Sequence, residues 1–157
     1  KVSFLQIRFS MQVQYQFLEN DNLFIQKYFG DWSTDHYRAF LLEMSKEPYF
    51  QRTKKILTDL RNVTRMRDAF ENIEQLQKIR REFIPADILN IQLVDKPAAT
   101  AAIHLYQQNL TAQYKYSYCS TVFQALKLLD LSVSLSEMDV EEILKSLPFE
   151  FSTFENK

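Results

Sequence analysis

The sequence predicts a single α/β domain built on a mixed, mainly parallel β-sheet. Strand-like apolar segments alternate with amphipathic helix-like segments, a pattern typical of βαβ units with right-handed crossovers. The chain has 157 residues, of which 46% are hydrophobic and 14% aromatic, enough for one globular core. No internal repeat and no long linker divides it. We therefore expect one domain over residues 11–148, opening with a β-hairpin and continuing as alternating β-α units.

The first strands and the first helix are indicated by alternation and by capping residues. "VQYQFLE" from Val13 alternates apolar and polar residues, and "LFIQKYFG" follows after a polar turn, so the two segments predict a hairpin. Ser33 is a good N-cap for the helix that follows, and Trp32 can pack on Tyr37 across that cap. Pro48 ends the helix.

The middle of the chain predicts two strands on either side of a second helix. "KKILTDLRNV" predicts a short strand from Lys55 to Leu60 that ends in polar loop residues. A helical pattern then runs from about Asp68 to Pro85. "DILNIQLVD" is densely apolar, which favours a central strand that is covered on both faces.

The last third predicts three helices, one more strand and a tail. Pro97 opens a helix at its first position, Ser120 caps the next helix, and the last helix is expected to begin at Ser136. "AQYKYSYC" predicts a fifth strand. If this strand lies at an edge, its tyrosine row could pair with a second copy or a partner; if a helix covers it, the row belongs to the core. Residues 149–157 are expected to form a loose or locally packed tail.

The two termini, the net charge and the single cysteine indicate the compartment and the kinds of partner that the protein has. Residues 1–10 are either a native extension or a vector remnant, since Met11 could be the natural start. We expect no secretory signal at the start, because Arg8 interrupts the short apolar stretch there, and no apolar run reaches membrane-spanning length. A net charge of −1 gives no general attraction to nucleic acid. The single cysteine excludes an internal disulfide and fits a cytoplasmic protein.

The residue types of known catalytic and cofactor sites are missing from the expected positions. Nucleotide loops need several glycines, and the chain contains only Gly30. His36 and His104 have no acidic or cysteine partner at ligand spacing, so no metal site is expected. Cys119 has no activating neighbour, and Asp59 has no nucleophile or base beside it in sequence. We therefore expect no enzyme activity, no cofactor and no metal.

Polar residues at strand ends and helix starts form the candidate surface. The turn around Asp95 and Lys96 either holds an anion at a helix N-terminus or is an ordinary cap with a solvated lysine. Arg61, with Arg65 and Arg67, either contacts phosphate or an acidic partner, or is a solvated face. The candidate ligand or partner surface comprises Ser33, Thr34, Asp59, Arg61, Thr64, Asp95 and Lys96.

Four segments carry a resemblance to a known family. "LFIQKYFGDWSTDHYRAFLLEM" resembles the second strand, turn and first helix of STAS-like proteins, and "KKILTDLRNV" resembles their strand ending in an Asp-Leu pair. "ILNIQLVDKPAATAAIHLYQQNL" is similar to their fourth strand, proline turn and small-residue helix, and "QYKYSYCSTVFQALKLL" to their last strand and closing helix. From about Met11 to Asp130 the chain thus resembles uncharacterised bacterial STAS-like proteins related to anti-sigma-factor antagonists.

The resemblance implies a sheet with helices mostly on one face and a role in protein–protein signalling or ligand sensing. "DLRNVTRMRDAF" lacks the serine that is phosphorylated in anti-sigma-factor antagonists, and Thr64 is the only hydroxyl nearby. We expect a non-catalytic bacterial regulatory module that docks an unidentified protein partner through strand-end loops, with a homodimer expected by analogy. The alternative is a carrier or sensor of a small hydrophobic, lipid-like or anionic ligand, held in a crevice like that of Sec14-type domains.

Overall fold

A computed structural model describes residues 11–108, 110 and 114–152. The described residues form six strands: β1 (Gln12–Leu18), β2 (Leu23–Asp31), β3 (Lys55–Arg65), β4 (Leu89–Leu93), β5 (Tyr116–Cys119) and β6 (Phe149–Ser152). They also form seven α-helices: α1 (Thr34–Met44), α2 (Pro48–Gln51), α3 (Arg67–Glu71), α4 (Ile73–Phe83), α5 (Pro97–Gln108), α6 (Val122–Leu128) and α7 (Glu137–Lys145). The predictions for residues 1–10 and 153–157 lie outside the described residues.

One mixed sheet organises the fold, with the strand order β5-β4-β3-β2-β1-β6. Strands β2 to β5 are parallel, and β1 is antiparallel to both β2 and β6. The predicted opening hairpin and mainly parallel α/β sheet are therefore confirmed. Parallel neighbours need long crossovers, and the helices between β2 and β5 supply them.

The sheet is covered on both faces, each by its own apolar core. The first face carries Phe24, Tyr28 and Ile56 and packs under α1 to α5. The second face carries Ile25, Leu57 and the apolar residues of β4, and packs under α6 and α7. Five of the seven described helices thus lie on the first face, and β4 is interior as predicted. No helix in the described part of the chain has the length and apolarity that a bilayer span requires.

The helix starts follow local chemistry closely. The Ser33 hydroxyl accepts a hydrogen bond from the backbone N–H of His36, and the rings of Trp32 and Tyr37 are 5.1 Å apart, as predicted. Pro97 begins α5 and Ser136 caps α7. The cap predicted at Ser120 is wrong by one residue, because Thr121 accepts from the N–H of Gln124 and caps α6.

Two predicted elements have the wrong extent. The strand expected to end at Leu60 continues to Arg65, because residues 62–65 keep pairing with the end of β2 while Val63 alone turns into the core. The polar residues after Leu60, which predicted a loop, belong to a half-exposed part of β3. The single helix expected from Asp68 is divided at Asn72, whose backbone is not helical.

The ends of the sheet also differ from the sequence prediction. The expected loose or locally packed tail is wrong for residues 149–152, which pair with β1 as β6. The signal was the spacing of Phe149 and Phe151, which places both rings on the first face beside Tyr15 and Phe40 respectively. Strand β5 does lie at an edge of the described sheet, yet Tyr116 is also part of the first core.

The docking of β6 can be tested by comparing two substitutions in this strand. Phe151→Ala removes a ring 5.5 Å from that of Phe40, and we expect it to lower the free energy of unfolding by about 1–3 kcal/mol. Glu150→Ala, on the exposed face of the same strand, is the control and changes it by less than about 0.5 kcal/mol. Urea unfolding measures both values, and equal effects would contradict the placement of β6.

Candidate functional site

The predicted residue Asp59 lies inside the protein and forms a salt bridge. It is 0% exposed and faces the second core from β3. Arg61 Nε donates to Asp59 Oδ1 at 3.0 Å and Arg61 Nη2 to Oδ2 at 2.9 Å. Arg61 Nη1 also donates to Glu141 Oε1 of α7 at 3.1 Å. Asp59 therefore holds Arg61, and Arg61 ties β3 to α7.

The electrostatics of this cluster fit a structural role. The hydrogen bonds that Arg61 donates to Asp59 raise the pKa of Arg61 above its ordinary value, burial opposes the rise, and Glu141 adds to it. Nearby, Lys27 Nζ donates to the carbonyl of Leu144 at 3.3 Å. Glu141 of α7 thus contacts β3, and Lys27 of β2 contacts α7. The sequence analysis identified neither residue.

The turn at Asp95 joins the same region. Lys96 Nζ donates to the carbonyl oxygen of Arg61 and to Asp95 Oδ1, so its charge is balanced by a neighbouring carboxylate. Both Asp95 and Lys96 are about half exposed. Whether the turn holds an anion therefore stays a prediction.

The other predicted surface residues bond elsewhere. Thr34 is buried, and its N–H and hydroxyl both donate to Asp68 Oδ1 at 2.6 Å. Thr64 is exposed and donates to Asp31, while Ser33 is used as a helix cap. The seven predicted residues therefore do not form one continuous surface. Four of them, Asp59, Arg61, Asp95 and Lys96, are joined by direct contacts.

The first face also carries a strip of buried polar side chains that the sequence analysis did not predict. Gln26 Nε2 donates to Thr58 Oγ1 at 2.8 Å, and Thr58 Oγ1 donates to Asn90 Oδ1 at 3.1 Å. Tyr28 adds its hydroxyl, which donates to Gln26 Oε1 at 2.9 Å. Gln92, two residues beyond Asn90, is 8% exposed and continues the strip. Polar residues thus form the floor beneath the apolar helices.

The sequence did contain a signal for this strip. In β4, "LNIQL", the apolar residues alternate with Asn90 and Gln92. A strand covered on both faces places such residues in a core, where they need hydrogen-bond partners. The density of apolar residues predicts a buried strand, but the sequence analysis did not identify its two amides as buried polar groups.

A cavity lies above this strip, between the sheet and the helices of the first face. Its volume is about 40 Å³, room for roughly three water molecules or a small chemical group. The floor contributes Thr58, Leu60, Gln92 and Tyr116. The helices and loops contribute Trp32, Tyr37, Met66, Ala69, Ile73, Leu76, Ala102, Ile103 and Tyr106.

Three polar atoms of the cavity wall lack a hydrogen-bond partner among the described residues. They are Trp32 Nε1, Gln92 Oε1 and the Tyr116 hydroxyl, on side chains that are at least nine-tenths buried. Gln92 lies close enough to oppose the rise of the Tyr116 pKa, yet the two groups do not reach full hydrogen-bond geometry. Buried polar atoms are normally paired, so three convergent exceptions mark this cavity.

Burial keeps the phenols of the cavity uncharged. It raises the pKa of Tyr37 to about 12, and raises the pKa values of Tyr106 and Tyr116 above their ordinary range. These hydroxyls therefore remain neutral hydrogen-bonding groups throughout the physiological pH range.

Neither a metal centre nor an activated thiol is found among the residues that the structure describes. His, Cys, Asp and Glu side chains there form no group of three suited to a metal ion. Burial raises the pKa of the Cys119 thiol, against a smaller opposing effect of its hydrogen bond to Thr121, so less of it is thiolate at neutral pH than in a free cysteine.

No family model and no curated protein matches the chain. The resemblance to STAS-like proteins therefore stays a prediction, and the function is argued from the geometry of the site.

The Asp59–Arg61 pair gives the first test of this site. Arg61→Leu leaves the buried carboxylate of Asp59 uncompensated, and we expect a loss of about 3 kcal/mol in the free energy of unfolding. Changing both residues to Leu should cost much less, because the isolated charge is then gone. Arg65→Leu, in the same strand but 81% exposed, is the control with little effect. An Arg61 effect no larger than that of Arg65, in urea unfolding, would contradict the assignment.

The buried phenols give the second test. Because burial raises the pKa of Tyr28, Tyr37, Tyr106 and Tyr116, we expect no more than half of the eight tyrosines to ionise by about pH 11 in the native protein. The stabilisation from their neutral forms is complete below about pH 10 and is lost as the pH rises towards the folded-state values. Absorbance near 295 nm follows the titration, and one transition of all eight phenols near pH 10 in folded protein would overturn the prediction.

Proposed function

We propose that this protein is a non-catalytic binding module that carries or senses a small, mostly apolar molecule in the cavity of the first face. The observation that carries the proposal is the convergence of Trp32 Nε1, Gln92 Oε1 and the Tyr116 hydroxyl on one cavity without protein partners among the described residues. An unpaired buried polar group costs about 1–3 kcal/mol, and a bound molecule with complementary groups recovers that energy.

The walls of the cavity support an apolar body for the ligand. Met66, Ile73, Leu76 and Ile103 supply aliphatic surface, and the ring of Trp32 supplies an aromatic wall. Sites for small molecules commonly combine such walls with a few well-placed polar groups. The volume favours a small molecule, or the anchoring group of a larger one, and the half-buried Ile73 lies at the margin where a larger body can extend.

The unpaired polar groups of the cavity suggest how a ligand is oriented there. Trp32 Nε1 is a donor, Gln92 Oε1 is an acceptor, and the Tyr116 hydroxyl is both. A ligand with one hydroxyl or carbonyl group satisfies at least one of them while its apolar part stays among the helices. Binding of this kind needs no reacting group from the protein, which agrees with the non-catalytic role expected from the sequence.

A second candidate is docking of a protein partner, as expected from the STAS-like resemblance. It is favoured by the exposure of large apolar side chains around the start of α7, where Val133 is fully exposed and Met138 is 79% exposed. A cytoplasmic regulatory module in a bacterium would combine both roles, with ligand occupancy on the first face and a partner on the second. A homodimer is the simplest such assembly.

Filling the cavity tests the proposal. Ala102 is 1% exposed and lines the cavity, whereas its neighbour Ala101 on α5 is exposed. With 1-propanol as the probe, which matches the room for about three water molecules, we expect saturable binding to the wild type and to Ala101→Leu, and at least about tenfold weaker binding to Ala102→Leu. Protein-observed NMR measures the affinities.

A second variant tests the cavity independently, in case Ala102→Leu does not fold. Trp32→Phe keeps an aromatic wall but removes the Nε1 donor, so we expect it to weaken the binding of 1-propanol several fold, about the value of one neutral hydrogen bond. Absence of saturable binding to the wild type, or equal binding to all variants, would exclude this cavity as the site.

A further inference from the structure

The acceptor Gln92 Oε1 is flanked by hydroxyl groups whose hydrogen bonds are directed elsewhere. In the register of the sheet, Gln92 lies opposite Thr58 of β3 on one side and Tyr118 of β5 on the other. The Thr58 hydroxyl donates to Asn90 Oδ1 at 3.1 Å, so its proton is already used. The Tyr118 hydroxyl lies 3.2 Å from Nδ1 of His104. Neither cross-strand neighbour forms a hydrogen bond with Gln92 Oε1.

Tyr116 does not supply the missing donor either. It lies opposite Asn90, two residues before Gln92 on β4, and its hydroxyl is itself without a hydrogen-bond partner among the described residues. Gln92 is 8% exposed, and its side-chain carbonyl oxygen accepts no hydrogen bond from the described part of the chain. Because a buried amide oxygen is normally paired, this atom favours a ligand that brings a donor.

The lining of the cavity is uncharged. Among the described residues that line it there is no Asp, Glu, Lys, Arg or His. Its phenols are neutral as well, because burial raises the pKa values of Tyr37, Tyr106 and Tyr116. A charged ligand would lose its hydration on entering without gaining a counter-ion from the wall, which is costly. The cavity therefore favours an uncharged ligand.

We infer that the ligand is an uncharged short-chain alcohol, and that its hydroxyl group donates a hydrogen bond to Gln92 Oε1. The inference rests on the proposed function and narrows it from small, mostly apolar molecules to those with a neutral donor. Ketones, ethers and carboxylates only accept hydrogen bonds, so they leave Gln92 Oε1 unpaired. A hydroxyl group combines a donor and an acceptor in a single oxygen atom, which suits a cavity of about 40 Å³ better than a larger donor such as an amide.

Three probes of nearly the same size and shape separate this inference from the proposed function. 2-Propanol is a neutral donor, acetone a neutral acceptor and acetate a charged acceptor. In protein-observed NMR, we expect the wild type to bind 2-propanol at least about fivefold more tightly than acetone or acetate, the value of one neutral hydrogen bond. Gln92→Met removes the amide oxygen at similar side-chain length and should abolish the preference over acetone. The control Gln75→Met, at an exposed position of α4, should retain it.

Each outcome decides between the two statements. If acetone or acetate binds the cavity as tightly as 2-propanol, or if the preference over acetone survives in Gln92→Met, the inference is wrong and the proposed cavity remains. If none of these probes and no 1-propanol binds, both are wrong. Should Gln92→Met fail to fold, the side-chain carbonyl ¹³C signal of Gln92 in the wild type replaces it. That signal should shift more with 2-propanol than with acetone, and equal shifts overturn the inference.

Discussion

Burial of the sheet on both faces is the constraint on which the rest of the structure depends. Helices cover the middle of β2, β3 and β4 on each side, so the polar side chains buried there, such as Gln26, Asp59 and Asn90, have no access to bulk water. Each such group must find a partner inside the protein or remain unpaired at a cost. This requirement explains both the salt bridge of the second face and the polar strip of the first.

The two faces meet the requirement to different degrees. On the second face, Asp59 is matched by the guanidinium of Arg61, which is matched in turn by Glu141. On the first face, hydrogen bonds connect Gln26, Thr58 and Asn90, but the chain of partners stops before Gln92. Three of the unpaired buried atoms, Trp32 Nε1, Gln92 Oε1 and the Tyr116 hydroxyl, belong to residues that line one cavity. This contrast is the reason why the binding proposal is placed on the first face.

The sequence predicted the architecture well because that architecture follows from periodicity and from local caps. The hairpin, the interior position of β4, the cap at Ser33 and the start at Pro97 all depend on neighbouring residues. The length of β3 and the existence of β6 depend on pairing with distant strands, which no local pattern reveals. A run of polar residues such as "RNVT" is compatible with a loop or with a half-exposed strand, and only the partner strand decides.

The candidate site was predicted in part, and the reason is again physical. Charged residues at strand ends attract notice, and Asp59, Arg61, Asp95 and Lys96 do lie together. Their role is to join elements, because their charges compensate one another. The cavity depends on residues that look ordinary in sequence, such as Trp32, Gln92 and Tyr116, and on which of their atoms lack a partner after folding. That property exists only once the chain is folded, although the alternation in β4 pointed to its amides.

The central claim is that the cavity of the first face receives a ligand, and the single tryptophan reports on it directly. Trp32 is the only tryptophan of the chain, so its Nε1–H gives one indole signal in a ¹H–¹⁵N spectrum. During titration with 1-propanol, the account predicts that this signal moves saturably and that the indole N–H exchanges more slowly with water, because the ligand supplies its missing acceptor and excludes solvent. An indole signal that stays fixed while signals at the exposed surface shift would contradict the account.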